Sequence, residues 1–256
     1  MPHPTTAAKA REARIKVLSM IHKAQTSHVA SNFSVIDIAT VLYENLKPED
    51  KVVWSKGWAA ASIYYFGVQR GDIAAEAIDI FPNAPYLGLA ETTVKGVLCN
   101  GGAVGHGSPI AVGMALGMKK AGQKGVVYCI MSDGELNEGT VWESVMLAHH
   151  HKLDNLVFII DANKWQAMGK TSDIVDLEPI EQRFAGFGFD WARIDGHDYE
   201  AIQVALEWQP DAGKPYVMIC DTIKGKGVSF MENHLLYHYK NVDAETYEKA
   251  MAELSV

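Results

Sequence analysis

The stretch VVYCIMSDGELNEG (residues 126–139) decides the fold. Its first six residues are apolar and lie between Gly125 and the Ser132-Asp133-Gly134 turn, the pattern of a short strand buried on both faces. The next eight crowd three carboxylates (Asp133, Glu135 and Glu138) and two glycines together. A surface turn needs only the glycines, so the acids require a reason of their own.

The pattern repeats downstream. GTVWESVMLAHHHK (139–152) predicts a helix, LVFII (156–160) a strand, EPIEQRFAGFG (178–188) a helix and FDWARI (189–194) a strand. YEAIQVALEW (199–208) predicts a helix, YVMIC (216–220) a strand and AETYEKAMAEL (244–254) a closing helix. Short apolar strands alternating with helices predict βαβ units, hence an α/β fold with a mostly parallel sheet and helices on both faces. Upstream, helices are expected over 5–25, over 34–46 with an S-x-x-D opening at Ser34 and Asp37, and over 54–71, closed by Gly71. Residues 82–107 are irregular, and a helix is expected over 108–122 with Ser108 as N-cap and Pro109 in first position. Gly113 and Gly117 share one face of it, which predicts close packing there, by another subunit or within the chain.

Of the 256 residues, 48% are hydrophobic and 21% charged, with no Pro/Gly/Ser-rich linker, so a single domain over 1–256 is expected. A net charge of −8 without a long basic run argues against a nucleic-acid partner. The N-terminus has no apolar signal core, and no segment approaches the ~20 apolar residues of a membrane helix. Three cysteines without a C-x-x-C pair suit a reducing compartment, and a cytoplasmic location is expected.

Right-handed crossovers place Asp133 and Asp161-Ala162-Asn163 at the same carboxyl edge of the sheet, where such folds bind ligands. A carboxylate from one loop and an amide carbonyl from the next are hard oxygen donors suited to Mg²⁺. Gly134 lets a phosphate approach the backbone, and the helix beginning near Glu138 favours an anion. Either residue alone is read more simply, Asp133 as a cap and Asn163 as a turn residue. Their pairing across one crossover, with a glycine beside the acid, points to a metal-bridged diphosphate site.

Residues 132–169, SDGELNEGTVWESVMLAHHHKLDNLVFIIDANKWQAMG, strongly resemble the thiamine diphosphate signature, GDG followed some thirty residues later by Asn, in its transketolase variant. SHVASNFSVIDIATVLY, WSKGWAA, GGAVGHGSPIAVGMALGMK, FGFDWARIDGHDYEAI and KPYVMICDTIKGKGVSFMENHLLYHY resemble further transketolase blocks in order. The resemblance implies the thiamine diphosphate-binding fold. It implies Asp133 and Asn163 as Mg²⁺ ligands, with the backbone carbonyl of Trp165 as a third. Gly134 would contact the diphosphate, and Gly102 and Val104 would lie against the cofactor rings. Glu135 sits in the same cofactor-binding loop without a ligand of its own and is expected to be solvated.

The resemblance also places His28, His238, Glu138 and His106 in the catalytic set, with Glu138 and Glu143 linking two cofactor sites across an interface. Transketolases are about twice as long, so the chain resembles the N-terminal subunit of a split transketolase. Such a subunit needs a C-terminal partner with the pyrimidine-binding domain and its glutamate, in an α2β2 assembly.

Departures from the family concern the substrate pocket. Trp58 stands where the family has the His of SKGH, residues 87–91 read LGLAE without a histidine, and His106 replaces the Gln of GQG. A transferase of a two-carbon ketol or acyl unit is expected, with a non-standard ketose or 2-oxo acid donor and an aldehyde-type acceptor. The alternatives are a decarboxylating E1-type subunit for 2-oxo acids and a non-catalytic binding module. Of the remaining motifs, His149, His150 and His151 are consecutive and cannot face one ion on a helix, and KGKG (224–227) is expected to be a flexible loop at the site edge.

Overall fold

A computed structural model of the chain describes residues 4–208 and 213–255; the first three residues of the N-terminal stretch lie outside the described part. Two long helices, α1 (Pro4–Ala24) and α2 (Val29–Asn45), precede β1 (Lys51–Trp54), α3 (Ala60–Arg70) and the short α4 (Ala77–Ile80). After the irregular segment come α5 (Gly107–Lys120), β2 (Val127–Ser132), α6 (Gly139–His150), β3 (Leu156–Ala162), α7 (Thr171–Ile174) and α8 (Ile180–Gly186). Then follow β4 (Asp190–Asp195), α9 (Tyr199–Leu206), β5 (Tyr216–Asp221), α10 (Leu236–Tyr239) and α11 (Ala244–Leu254).

The five strands form one wholly parallel sheet in the order β1-β2-β3-β5-β4. Side chains alternate across it, as the two-residue period of a strand requires. Trp54, Ile130, Ile159 and Met218 face a core closed by α1, α2, α3, α9 and α11. Val53, Cys129, Phe158 and Val217, in register across the sheet, face a second core under α5, α6 and α8. All three cysteines are buried and free, inside these cores or at their margin.

Three local expectations are corrected. Helix α2 begins at Val29, before Ser34, and is buried throughout from Val29 to Leu42. Ser34 and Asp37 are therefore interior residues: Ser34 donates to Asp161 Oδ2 at 2.7 Å, and Asp37 receives Arg14 through two bonds of 2.8 and 2.6 Å. The helix expected over 54–71 begins later, at Ala60, as α3 and is closed by Gly71 as expected; its first residue, Trp54, instead ends strand β1, paired with β2. Helix α5 starts at Gly107, and Ser108 Oγ turns back to the Gly105 carbonyl at 3.3 Å instead of capping. Gly113 and Gly117 meet nothing of this chain within 4 Å of an added Cβ, so packing within the chain does not account for them.

The Arg14–Asp37 pair ties distant parts of the chain together. Asp37 also accepts from Tyr199 Oη at 3.0 Å and contacts His197 Nδ1 at 2.7 Å, while Arg14 Nε donates to the Lys226 carbonyl at 2.9 Å. Burial alone would raise the Asp37 carboxyl; Arg14 and His197 outweigh it and hold it well below the usual carboxylate range. A carboxyl with a depressed folded-state pKa stabilises fully above its unfolded value of about 3.9 and loses that contribution as pH falls further. Asp37→Ala strands a buried guanidinium and is expected to cost about 3–5 kcal/mol in urea unfolding. Asp37→Asn is expected to flatten the loss of stability on acidification below about pH 4, read from melting curves across pH.

Candidate cofactor site

Four parallel strands end at one edge, and each delivers polar residues there: Ser55 and Lys56 after β1, Asp133 after β2, Asp161 and Asn163 at the end of β3, and Thr222 and Lys224 after β5. The focus is Asp161, which is fully buried. Its carboxylate makes close contacts with the Lys56 ammonium and the Thr222 hydroxyl and accepts from Ser34 Oγ at 2.7 Å. Burial would raise this acid; Lys56 above all, then Thr222 and Ser34, bring it below the ordinary carboxylate range.

Asp133 lies beside it under the opposite balance. It accepts from the backbone N–H of Gly134 at 2.9 Å and of Lys164 at 2.7 Å, and from Thr171 Oγ1 at 3.0 Å. Burial and the Asp161 charge nevertheless push it up to about 6. Asn163 Nδ2 points to Asp161 Oδ2 at 3.4 Å, which turns its Oδ1 away, where it accepts from the Trp165 N–H at 3.1 Å. The only hydrogen bond to the Trp165 carbonyl among the described residues is a long one, 3.5 Å from Lys224 Nζ. A buried carboxylate still seeking positive charge, an amide oxygen and a backbone carbonyl are a donor set that fits a hard cation such as Mg²⁺. Among the described residues no group of three or more His, Cys, Asp or Glu is placed to hold a metal ion.

A cavity of about 200 Å³ opens at this edge. His28, His238, Glu138, Gly134, Glu135 and Asn163 line it, as do Gly102, Val104 and Trp165. Asp133 borders the neighbouring cavity, which shares Trp165. His106 is exposed at the start of α5 and is not brought to either.

The expectation of a solvated Glu135 is corrected: it is 1% exposed. Its Oε1 takes a close hydrogen bond from Ser55 Oγ and accepts from the Gly105 N–H at 2.9 Å, and Ser55 Oγ in turn accepts from the Gly107 N–H at 3.0 Å. Burial, outweighing these bonds, pushes Glu135 up to about 7. Thr140 Oγ1 donates to the Gly105 carbonyl at 3.0 Å, so both sides of that residue are held. The 101–107 loop also packs against Gly57, where a Cβ would stand 2.3 Å from Gly101 Cα. Glu135 is thus the clamp of the loop that carries Gly102 and Val104.

One wall is aromatic. Trp58 stacks on His28 with ring centroids 4.5 Å apart and an interplanar angle of 18°, and His238 meets the His28 ring edge-on at 4.7 Å. His28 adopts left-handed backbone geometry (φ 71°, ψ 21°), which only a few per cent of non-glycine residues do. The conformation is held by its N–H donating to the His238 carbonyl at 3.1 Å and by Asn32 donating back to its carbonyl. Burial, then the charges of Lys224 and Lys56, lower His28 to about 4; burial, Lys224 and His28 lower His238 to about 3. Both imidazoles are neutral at pH 7 and offer N–H and N groups to a ligand, not charge. The loose KGKG loop expected from sequence is in fact packed inward, with Lys224 1% exposed.

Sequence reasoning gave no site role to Lys56, Lys224 or Thr222 and read Ser34 as a helix opening. The available signal was a lysine or hydroxyl within a few residues of the carboxyl end of an apolar strand. For Glu135, deleting its carboxylate removes one charged hydrogen bond to Gly105, worth about 1.5–3 kcal/mol. Glu135→Ala is therefore expected to speed amide exchange at Gly105 and Gly107 by at least about tenfold, with strand amides unchanged. Unaltered loop exchange would show that the loop does not depend on the clamp.

Comparison with known proteins shows the family. Residues 5–254 match the family described as transketolase, thiamine diphosphate binding domain. An apulose-4-phosphate transketolase subunit of Actinobacillus succinogenes is 35% identical, covering 96% of this chain and 94% of that protein. The 6-deoxy-6-sulfo-D-fructose transketolase subunit SqwG of a Clostridium species is 34% identical, with the same coverage. The crystal structure of transketolase from Campylobacter jejuni superposes with a TM-score of 0.92 at 30% identity, covering all of this chain and 43% of that one. The chain belongs to the transketolase family, as its thiamine diphosphate-binding N-terminal portion, of the kind that these two relatives carry as a separate subunit.

Proposed function

We propose that this chain is the cofactor-holding half of a two-component transketolase that transfers a two-carbon ketol unit from a non-standard ketose donor to an aldehyde acceptor. The observation that carries the reading is the placing of Asn163, Trp165 and the clamped 101–107 loop around one cavity, with Asp133 in the adjoining cavity that shares Trp165. In this reading Asp133, Asn163 and the Trp165 carbonyl hold Mg²⁺, Gly134 lies against the diphosphate, and Gly102 and Val104 seat the rings. Thiamine diphosphate, when bound, supplies the thiazolium carbon at which a carbonyl donor is cleaved. The chain itself orients and shields: neutral His28 and His238 offer hydrogen bonds to donor oxygens, and the Trp58 indole excludes water beside them.

Trp58 favours an unusual donor. An indole, stacked on His28, stands at the sequence position where the transketolase resemblance has a histidine that hydrogen-bonds the sugar. The names of the two relatives, which refer to apulose 4-phosphate and to 6-deoxy-6-sulfo-D-fructose, support a branched or modified sugar over a 2-oxo acid.

The second subunit brings the pyrimidine-binding domain and its glutamate, in an α2β2 assembly, with the present chain as one cofactor domain. Supporting this, Glu138 and Glu143 are exposed, Met146 and Leu147 on α6 are half-exposed, and the Gly113/Gly117 face of neighbouring α5 is open. No helix among the described residues is long and apolar enough to cross a membrane, which agrees with a cytoplasmic enzyme.

Calorimetry on the reconstituted complex is expected to show thiamine diphosphate binding that requires Mg²⁺ and that Asp133→Ala abolishes, by loss of a metal ligand. A donor screen is expected to rank modified ketoses above xylulose 5-phosphate; family-normal turnover of xylulose 5-phosphate with the modified ketoses ignored would sink the proposal. Trp58→His is expected to raise kcat/KM for xylulose 5-phosphate by about tenfold or more, because it returns a hydrogen-bonding group to the pocket.

A further inference from the structure

Lys224 is a buried cation for which the proposed chemistry has no use. Its position is fixed on both sides along the chain. Ile223 donates its N–H to His197 Nε2 at 2.8 Å, and Gly225 donates to the Ala30 carbonyl at 3.0 Å. The Lys224 carbonyl accepts from the Asn233 N–H at 2.8 Å. The side chain crosses the core edge, and its Nζ ends 2.8 Å from Nδ1 of His238 and, more weakly, 3.5 Å from the Trp165 carbonyl.

An ammonium has no lone pair and only donates. Nδ1 of His238 therefore accepts, and the single proton of this neutral ring resides on Nε2. Among the described residues Nε2 has no protein partner, and the ring lines the cofactor cavity. We propose that Lys224 is a positioning residue: by donating to Nδ1 it fixes His238 as the Nε2–H tautomer and reserves that N–H for an oxygen of the bound donor. The role in donor binding rests on the transketolase reading, whereas the tautomer follows from the chain's own geometry. Replacing the amine by a group that cannot donate frees the ring to carry its proton on either nitrogen, and a ring with Nδ1–H meets a donor oxygen with a lone pair.

The test uses the full chain labelled with ¹⁵N-histidine and then its reconstituted complex. Two-bond proton–nitrogen correlation spectra of the wild-type chain are expected to show His238 as one neutral Nε2–H tautomer. In Lys224→Met the same ring is expected to populate both tautomers, and Lys224→Arg, which retains a donor-only group, is expected to restore one. In the complex, Lys224→Met is expected to lower donor kcat/KM by about tenfold or more, as for one lost oriented hydrogen bond.

An Nδ1–H or mixed tautomer in the wild type would overturn the proposal, even if Lys224→Met failed to fold. So would a raised cofactor KM with unchanged donor kcat/KM, which would assign Lys224 to the cofactor. A complex inactive with every donor, but with the expected tautomers, would count against the transketolase reading alone.

Discussion

The site depends on one buried negative charge. Asp161 stands at the end of the central strand β3 and gathers a helix residue, Ser34, and residues beyond two other strands, Lys56 and Thr222. Such a carboxylate is tolerable in the interior only with its partners in place, because an uncompensated buried charge is worth several kcal/mol. The requirement runs in both directions: the acid needs the ligands, and meeting that need brings the ends of β1, β3 and β5 and the side of α2 to one point. The cofactor edge is assembled around this neutralisation.

Each nearby titratable group takes its character from how that charge is distributed. Lys56 is matched by Asp161, while Asp133 is raised, first by burial and then by the Asp161 charge beside it. Lys224 lies among imidazoles and is lowered to about 8, first by burial and then by Lys56. The two histidines stay neutral between these ammonium groups. One edge thus combines a buried acid raised by its surroundings, neutral hydrogen-bonding rings and a second acid, Glu135, that holds a loop.

The sheet was legible in the sequence because β2, β3 and β5 are buried on both faces and therefore read as unbroken apolar runs. β1 was not, since KVVW has no period until β2 is laid beside it. The Asp133–Asn163 pairing was visible because one crossover separates them. The roles of Glu135, Asp161 and Lys224 were hidden, because each is set by a partner outside its own segment: Glu135 by Ser55, Asp161 by Lys56 and Thr222, and Lys224 by His238. A glutamate in a glycine-rich turn looks solvated until the neighbouring loop covers it. The capping-box pattern at Ser34 misled for the same reason, as both of its polar residues answer to residues outside the helix.

The bond from Arg14 to the Lys226 carbonyl spans 212 positions. Closing so long a loop is entropically demanding and belongs to the slow, non-local class of contacts. The turn bearing Lys224 therefore cannot reach its final position until the last strand has joined the sheet and found the first helix. During synthesis, which proceeds from the N-terminus, Arg14 emerges long before Lys226, whose carbonyl completes its hydrogen bonds. The binding edge is thus the last part of the molecule to mature, and a chain stalled on the ribosome after β3 has its sheet begun but no competence for ligand.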